Sequence, residues 1–81
     1  MRVKVRFFAG IREVVGRPEA QVDLPEGATA ADLWSRLAAE HPALAPRRAG
    51  LAAAVNRRYA GLETALGDGD EVVFVPPVSG G

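Results

Sequence analysis

The stretch TAADLWSRLAAEH, residues 29–41, is the part of the chain from which the fold can be predicted. Its apolar side chains recur three and four residues apart, which places them on one side of a helix. The members of this stripe are Ala30, Leu33, Trp34, Leu37 and Ala38. Thr29 is a natural N-cap, Asp32 can complete a capping box with it, and Pro42 ends the helix. The sequence therefore predicts one amphipathic helix that needs an apolar surface to cover.

The segments on both sides of this helix alternate apolar and polar residues, a pattern typical of β-strands. The predicted elements around the helix are strand 2–8, a short helical turn 9–16, strand 19–24, a turn at 25–27, a loop 43–50 with at most a brief helical turn, strand 51–56, a short return strand 57–60, a turn at 67–70 and strand 71–75. One helix against a small mixed sheet of about five strands predicts an α+β fold of the ubiquitin-like β-grasp type. Residues 1–75 would form this domain, and residues 76–81 a projecting C-terminal tail.

Composition narrows the possible functions. A chain of 81 residues is expected to form a single domain, and the lack of cysteine excludes disulfides, zinc–thiolate sites and thiol nucleophiles. A formal net charge of zero gives no overall field that would attract nucleic acid or an acidic membrane. We see no apolar run long enough to span a bilayer and no signal-peptide core. We therefore expect a cytoplasmic protein without nucleic-acid or membrane partners.

The side chains of the domain offer little for catalysis. The single histidine, His41, follows the predicted helix directly and is interpreted as a partly solvated terminal residue. Asp68, Asp70 and Glu71 cluster in a turn, but their spacing lacks the length of a calcium loop, so a solvated β-turn is the favoured interpretation. The pattern predicts no metal site and no catalytic group within the domain. Any reactivity would then come from the end of the chain.

The segment 76–81 has an unusual composition for a chain end. It reads Pro76, Pro77, Val78, Ser79, Gly80, Gly81. The prolines prevent further ladder hydrogen bonds and favour an extended arm, while glycines without Cβ atoms can pass through a narrow channel in a partner. A terminal carboxylate is a poor electrophile, but its acyl-adenylate is a good one. An ordinary frayed terminus is the alternative interpretation.

Three stretches give the chain a resemblance to a known family. They are VRFFAGIREVVG at 5–16, LAAAVN at 51–56 and LGDGDEVVFVPPVSGG at 66–81, of which the last is the most specific. In these stretches the chain resembles the small subunit of molybdopterin synthase, also called molybdopterin converting factor subunit 1 of the MoaD type. Proteins of that family are ubiquitin-like β-grasp sulfur carriers.

The resemblance implies a reaction at the chain end. Gly81 would be adenylated by a partner adenylyltransferase related to ubiquitin-activating enzymes, at the expense of ATP, and then converted to a thiocarboxylate. Gly80 and the segment 76–79 would enter the large synthase subunit. The thiocarboxylate would there supply sulfur for the dithiolene of molybdopterin, with cyclic pyranopterin monophosphate as substrate. The carrier itself would be a non-catalytic subunit that binds no cofactor or metal, within a heterotetramer of carriers and large subunits.

Three residues are predicted to contact the partners. Alternation in the first strand places Phe8 on the outer face of the sheet, where the core does not need a large aromatic ring. Tyr59 and Val75 can join it near the tail. The resemblance supports this prediction, since the family docks through the outer sheet face near the tail. Scattered surface hydrophobic residues are the alternative.

Other functions remain open at this point. The same tail chemistry serves sulfur carriers for thiamine thiazole and for transfer-RNA thiolation, although thiazole carriers are usually shorter and lack the segment FFAGIREVVG. A ubiquitin-like protein modifier, which forms isopeptide bonds with lysines, is activated by an identical first step. The last possibility is a β-grasp binding module whose tail is inert. Removal of the terminal glycines would leave that module unaffected.

Overall fold

A computed structural model of the chain describes residues 1–77. The elements, in chain order, are β1 Arg2–Arg6, α1 Ala9–Val15, β2 Glu19–Asp23, α2 Ala30–Glu40, a 3-10 helix Pro42–Arg48, β3 Ala52–Val55, β4 Arg58–Ala60 and β5 Glu71–Val75. The predicted α+β architecture, with one main helix and a mixed sheet, is confirmed.

The five strands form a single sheet in the order β2-β1-β5-β3-β4. The pair β1–β5 is parallel and the other three pairs are antiparallel. The last strand of the chain is therefore the central strand of the sheet. It is hydrogen-bonded to β1 on one side and to β3 on the other, so its end has a fixed position in the fold.

The core lies between one face of the sheet and α2. Its sheet side includes Val5 and Phe7, which alternation in the first strand predicts to point inward, and also Val72 and Phe74 of β5. All four are buried. The ring of Trp34, from α2, packs edge-on against Phe74 with 5.0 Å between the centroids. The predicted stripe of α2 lies in this core, although its last member, Ala38, is only half-buried.

The predicted capping box at the start of α2 is present. The Asp32 N–H donates to Oγ1 of Thr29 over 3.2 Å, and the Thr29 N–H donates to Oδ2 of Asp32 over 2.8 Å. Each side chain thus satisfies a backbone donor that the first turn of a helix leaves free.

We expect Thr29→Ala to lower the free energy of unfolding by about 1 kcal/mol, because the orphaned Asp32 N–H loses its acceptor. For a domain of this size that corresponds to a decrease in Tm of about 4–8 °C, measurable by thermal denaturation. Thr29→Ser, which keeps the hydroxyl, is the control and should stay close to the wild type. Equal losses for both variants would contradict the role assigned to the hydroxyl.

Two predicted segments differ from the structure by more than a single residue at either end. Strand 2–8 was predicted two residues too long, because β1 ends at Arg6 and Phe8 is already the N-cap of α1. The chain turns there through Ala9, whose φ is +49°, a conformation that alternation does not reveal. Segment 43–50, predicted as a loop with at most a brief helical turn, lies largely within a seven-residue 3-10 helix, Pro42–Arg48, that is anchored by the fully buried Leu44. A run this short carries too little periodicity to be recognised.

Candidate functional site

The candidate site is the end of the central strand. Val75 is the last paired residue of β5 and lies opposite Ala52 of β3. Pro76 and Pro77 follow and are exposed. Because proline has no backbone N–H, neither residue can donate a further hydrogen bond to the ladder. The remaining residues that were predicted to form the tail, Val78, Ser79, Gly80 and Gly81, lie outside the described residues.

The sheet face opposite α2 carries an apolar row close to this end. The register aligns Arg6 with Val73, Val73 with Ala54, and Ala54 with Tyr59, so these four residues lie across four neighbouring strands on one face. Val75 and Ala52 form the next pair on the same face, toward the tail. We call this surface the outer face and define it by Phe8, Ala52, Ala54, Tyr59, Val73 and Val75.

Within residues 1–77, the exposed large hydrophobic side chains are Phe8 and Tyr59, and both belong to the outer face. Tyr59 is 81% exposed and Phe8 is 52% exposed. The guanidinium of Arg6 lies 5.6 Å from the centroid of the Phe8 ring, a cation–π contact that holds the ring beside β1. Neither ring contributes to the core, so both remain available to a partner.

The structure brings the three predicted contact residues to the same face. Tyr59 lies on β4 and Val75 at the end of β5, as predicted, whereas Phe8 reaches this face from the N-cap position of α1. Their role in binding stays a prediction. The sequence interpretation did not include Ala52, Ala54 and Val73, which lie between the aromatic residues. Alternation places each of them on a face, but only the strand order makes them neighbours.

The acidic turn before β5 is used for structure. The Gly67 N–H donates to Oδ2 of Asp70 over 2.7 Å, and Nδ2 of Asn56 donates to Oδ1 of the same residue over 2.9 Å. Asp68 accepts from the Arg2 N–H over 2.8 Å. Within residues 1–77, no group of three or more His, Cys, Asp or Glu side chains is placed to hold a metal ion. His41 is the C-cap of α2, at the helix end where it was predicted.

An ion pair that displaces the pKa values of both its partners lies away from the tail. Nε of Arg2 is 2.8 Å from Oδ1 of Asp23, across the start of β1. The hydrogen bond from Arg2, reinforced by its charge, holds the pKa of Asp23 below its ordinary value, and the same contact raises the pKa of Arg2. Both groups are at the opposite end of the parallel pair β1–β5 from Pro76. Both side chains are exposed, so their ion pair contributes little to stability, and it takes no part in the candidate site.

No helix of residues 1–77 combines the length and the apolar character that crossing a membrane requires.

Comparison with known proteins shows similarity along nearly the whole chain. The model of the ThiS family matches residues 5–81. The molybdopterin synthase sulfur carrier subunit of Chlamydomonas reinhardtii is 42% identical over 83 residues, with 100% of both chains covered. The protein of the same name from Escherichia coli is 43% identical, covering 98% of this chain and 99% of that protein. The small archaeal modifier protein 3 of Haloferax volcanii is 37% identical, with 100% of both covered.

Solved structures agree with these relationships. The crystal structure of SAMP1 from Haloferax volcanii has a TM-score of 0.84 at 31% identity, and 100% of both chains is covered. A chain in the protein–protein complex of subunits 1 and 2 of the molybdopterin-converting factor from Helicobacter pylori has a TM-score of 0.66 at 29% identity, again with 100% of both covered. The predicted β-grasp fold and the resemblance to the molybdopterin synthase small subunit are thereby confirmed.

Proposed function

Because this chain belongs to the ThiS family, we propose that it is the sulfur carrier subunit of a molybdopterin synthase. One observation supports this function above the others. Relatives that bear this name match the chain over essentially its full length, at 42% and 43% identity. The geometry agrees with the proposal, since two exposed prolines lead away from the end of the central strand beside an exposed apolar face.

The proposed chemistry takes place at the carboxylate of Gly81. A carboxylate oxygen attacks the α-phosphate of ATP on a partner adenylyltransferase, and pyrophosphate leaves. A sulfur donor at the oxidation level of sulfide then attacks the carbonyl carbon, and AMP leaves with the oxygen. The product is a thiocarboxylate with a soft, nucleophilic sulfur. No electrons are exchanged in either step, so the carrier needs no redox group.

The carrier supplies both the group that bears the sulfur and the segment that brings it to the partner. The sheet fixes the end of β5, and Pro76 and Pro77 favour an extended backbone directly after it. The segment from Pro76 to Gly81 enters the large synthase subunit, where glycines at the tip avoid clashes with the channel walls. The sulfur is transferred there to cyclic pyranopterin monophosphate, which the large subunit binds. The carrier itself binds no cofactor; ATP is used by the adenylyltransferase.

The outer face is the proposed docking surface for the large subunit. Its centre is aliphatic and half-buried, and its two aromatic side chains, Phe8 and Tyr59, are exposed and of a type enriched at interfaces. The Helicobacter pylori complex joins subunits 1 and 2 of the molybdopterin-converting factor. We propose the same pairing here, with two carriers and two large subunits in a heterotetramer.

The intact mass of the protein tests the proposal. After incubation with the activating enzyme of its host, ATP and a sulfur donor, we expect a gain that matches replacement of one oxygen by sulfur, confined to the peptide that contains Gly81. Addition of the large subunit and cyclic pyranopterin monophosphate should reverse the gain and yield molybdopterin. No gain, with an enzyme shown to be active on another carrier, would contradict the proposed chemistry.

A protein modifier is the second candidate, supported by the 37% identity to the small archaeal modifier protein 3. It shares the adenylation step but ends in an isopeptide bond to a lysine of a target protein. Mass spectrometry of host proteins would distinguish the two, because a modifier leaves its C-terminal peptide on target lysines, which after trypsin cleavage at Arg58 is residues 59–81. Carriers for transfer-RNA or thiamine thiolation would instead differ in the acceptor that removes the sulfur.

A further inference from the structure

A glycine, Gly50, lies beside Pro77, the last tail residue that the structure describes. In the β3–β5 ladder Ala52 is opposite Val75, and continuing this antiparallel register outward by two residues brings Gly50 opposite Pro77. A Cβ atom at Gly50 would lie only 3.1 Å from both Cβ and Cγ of Pro77. That separation is shorter than the optimal distance between carbon atoms, so a side chain at position 50 would push the Pro77 ring away by a few tenths of an ångström.

The contact replaces the hydrogen bonds that the ladder has lost. Beyond Val75 the two prolines cannot donate to β3. Packing of the Pro77 ring against the bare backbone of Gly50 therefore continues the association of the two segments without a donor. The φ of Gly50 is +72°, a left-handed conformation that other residues rarely adopt. A larger residue at position 50 would therefore strain the backbone and also crowd the Pro77 ring.

The segment that carries Gly50 is fixed on the fold. The Leu51 N–H donates to the Arg48 carbonyl over 3.2 Å, and the Leu51 side chain is buried. The Arg47 guanidinium lies on the backbone of α1, with Nη1 2.8 Å from the position that a Cβ of Gly10 would occupy. The 3-10 helix that leads to Gly50 is therefore attached to α1 as well as to the core.

We infer that Gly50 is a positioning residue that sets the direction in which the tail leaves the sheet. The inference rests on the proposed function, since direction matters only if partner enzymes receive the tail. A tail held by Pro77 on Gly50 loses less conformational freedom when it enters a partner, which lowers the cost of binding. The other positive-φ glycines, Gly16, Gly27 and Gly69, have open space where a Cβ would stand, so none of them makes a comparable contact.

The pair Gly50→Ala and Gly27→Ala tests this role. Both variants place alanine in a left-handed conformation, with φ near +72° and +85°, and both should lose similar stability. Only Gly50→Ala pushes against Pro77. We expect Gly50→Ala to raise the KM of the activating enzyme for the carrier about tenfold with kcat nearly unchanged. Gly27→Ala should change neither constant.

A second substitution shows whether the effect passes through the proline ring. Pro77→Gly removes the ring and should itself raise KM, and adding Gly50→Ala to it should raise KM no further. In the free wild-type protein, NMR should show nuclear Overhauser contacts between the α-protons of Gly50 and the ring protons of Pro77. These contacts should persist in Gly27→Ala.

Three results would overturn the role of Gly50. They are an equal KM for Gly50→Ala and Gly27→Ala, a full effect of Gly50→Ala in the Pro77→Gly background, and the absence of the Gly50–Pro77 contacts from the NMR spectra. A wild-type chain that gains no sulfur would overturn the proposed function together with this role. A wild type that gains sulfur normally, with any of the three results, would overturn the role alone.

Discussion

Deletion of Gly80 and Gly81 is expected to abolish the sulfur gain completely while leaving the free energy of unfolding unchanged. The deletion moves the terminal carboxylate to Ser79, two residues short of the position that the partner active sites require, and places a side chain at the reacting end. Every buried residue of the described chain lies between Val3 and Phe74, so the core does not depend on the last residues. Intact mass after the activation reaction measures the first effect, and thermal denaturation measures the second.

Binding of the truncated protein to the large subunit is the control for this deletion. If the outer face docks the carrier, the truncated chain should still bind, with reduced affinity because the tail contacts are missing. Retained binding without sulfur transfer would assign the chemistry to the tail and the recognition to the sheet. A sulfur gain in the truncated protein would contradict the assignment of Gly81 as the reacting residue.

Phe8→Ala and Tyr59→Ala are expected to weaken binding to the large subunit by about 30-fold each, which corresponds to about 2 kcal/mol. Phe8 and Tyr59 are exposed in the free chain, with 52% and 81% of their surface accessible. Burial of these rings in a complex therefore removes much apolar surface from water. Titration calorimetry of the wild type and the variants with the large subunit measures the effect.

The stability of the same variants separates docking from folding. Neither ring belongs to the core, so the free energy of unfolding should change by about 1 kcal/mol or less. Glu26→Ala is the control variant, since the Glu26 side chain is 87% exposed and lies beside the N-terminus, away from the outer face. Wild-type affinity in both aromatic variants would show that the large subunit docks elsewhere on the carrier.

Much of the fold could be predicted from sequence patterns that extend over only a few residues. The stripe in residues 29–41 and the Thr29–Asp32 capping box depend on contacts within a few residues, so the sequence predicted α2 with its start at Ala30. Alternation predicted β5 with the bounds Glu71–Val75 and divided its side chains between two faces, and the structure shows that Val72 and Phe74 are on the buried one. The composition of the segment after Val75 also pointed to the tail, because prolines and glycines have local backbone effects.

Relations between distant segments could be seen only in the tertiary structure. The strand order joins Val73, Ala54 and Tyr59 into one face, and alternation within each strand carries no information about which strands are neighbours. β1 ends at Arg6, before the end that was predicted, and the chain then turns through Ala9. The sequence did not reveal this turn, because a single positive φ leaves no periodic signal. Gly50 gave no functional signal in the sequence. Its importance follows from the β3–β5 register, since antiparallel pairing brings a residue before β3 against the ring of Pro77 that follows β5.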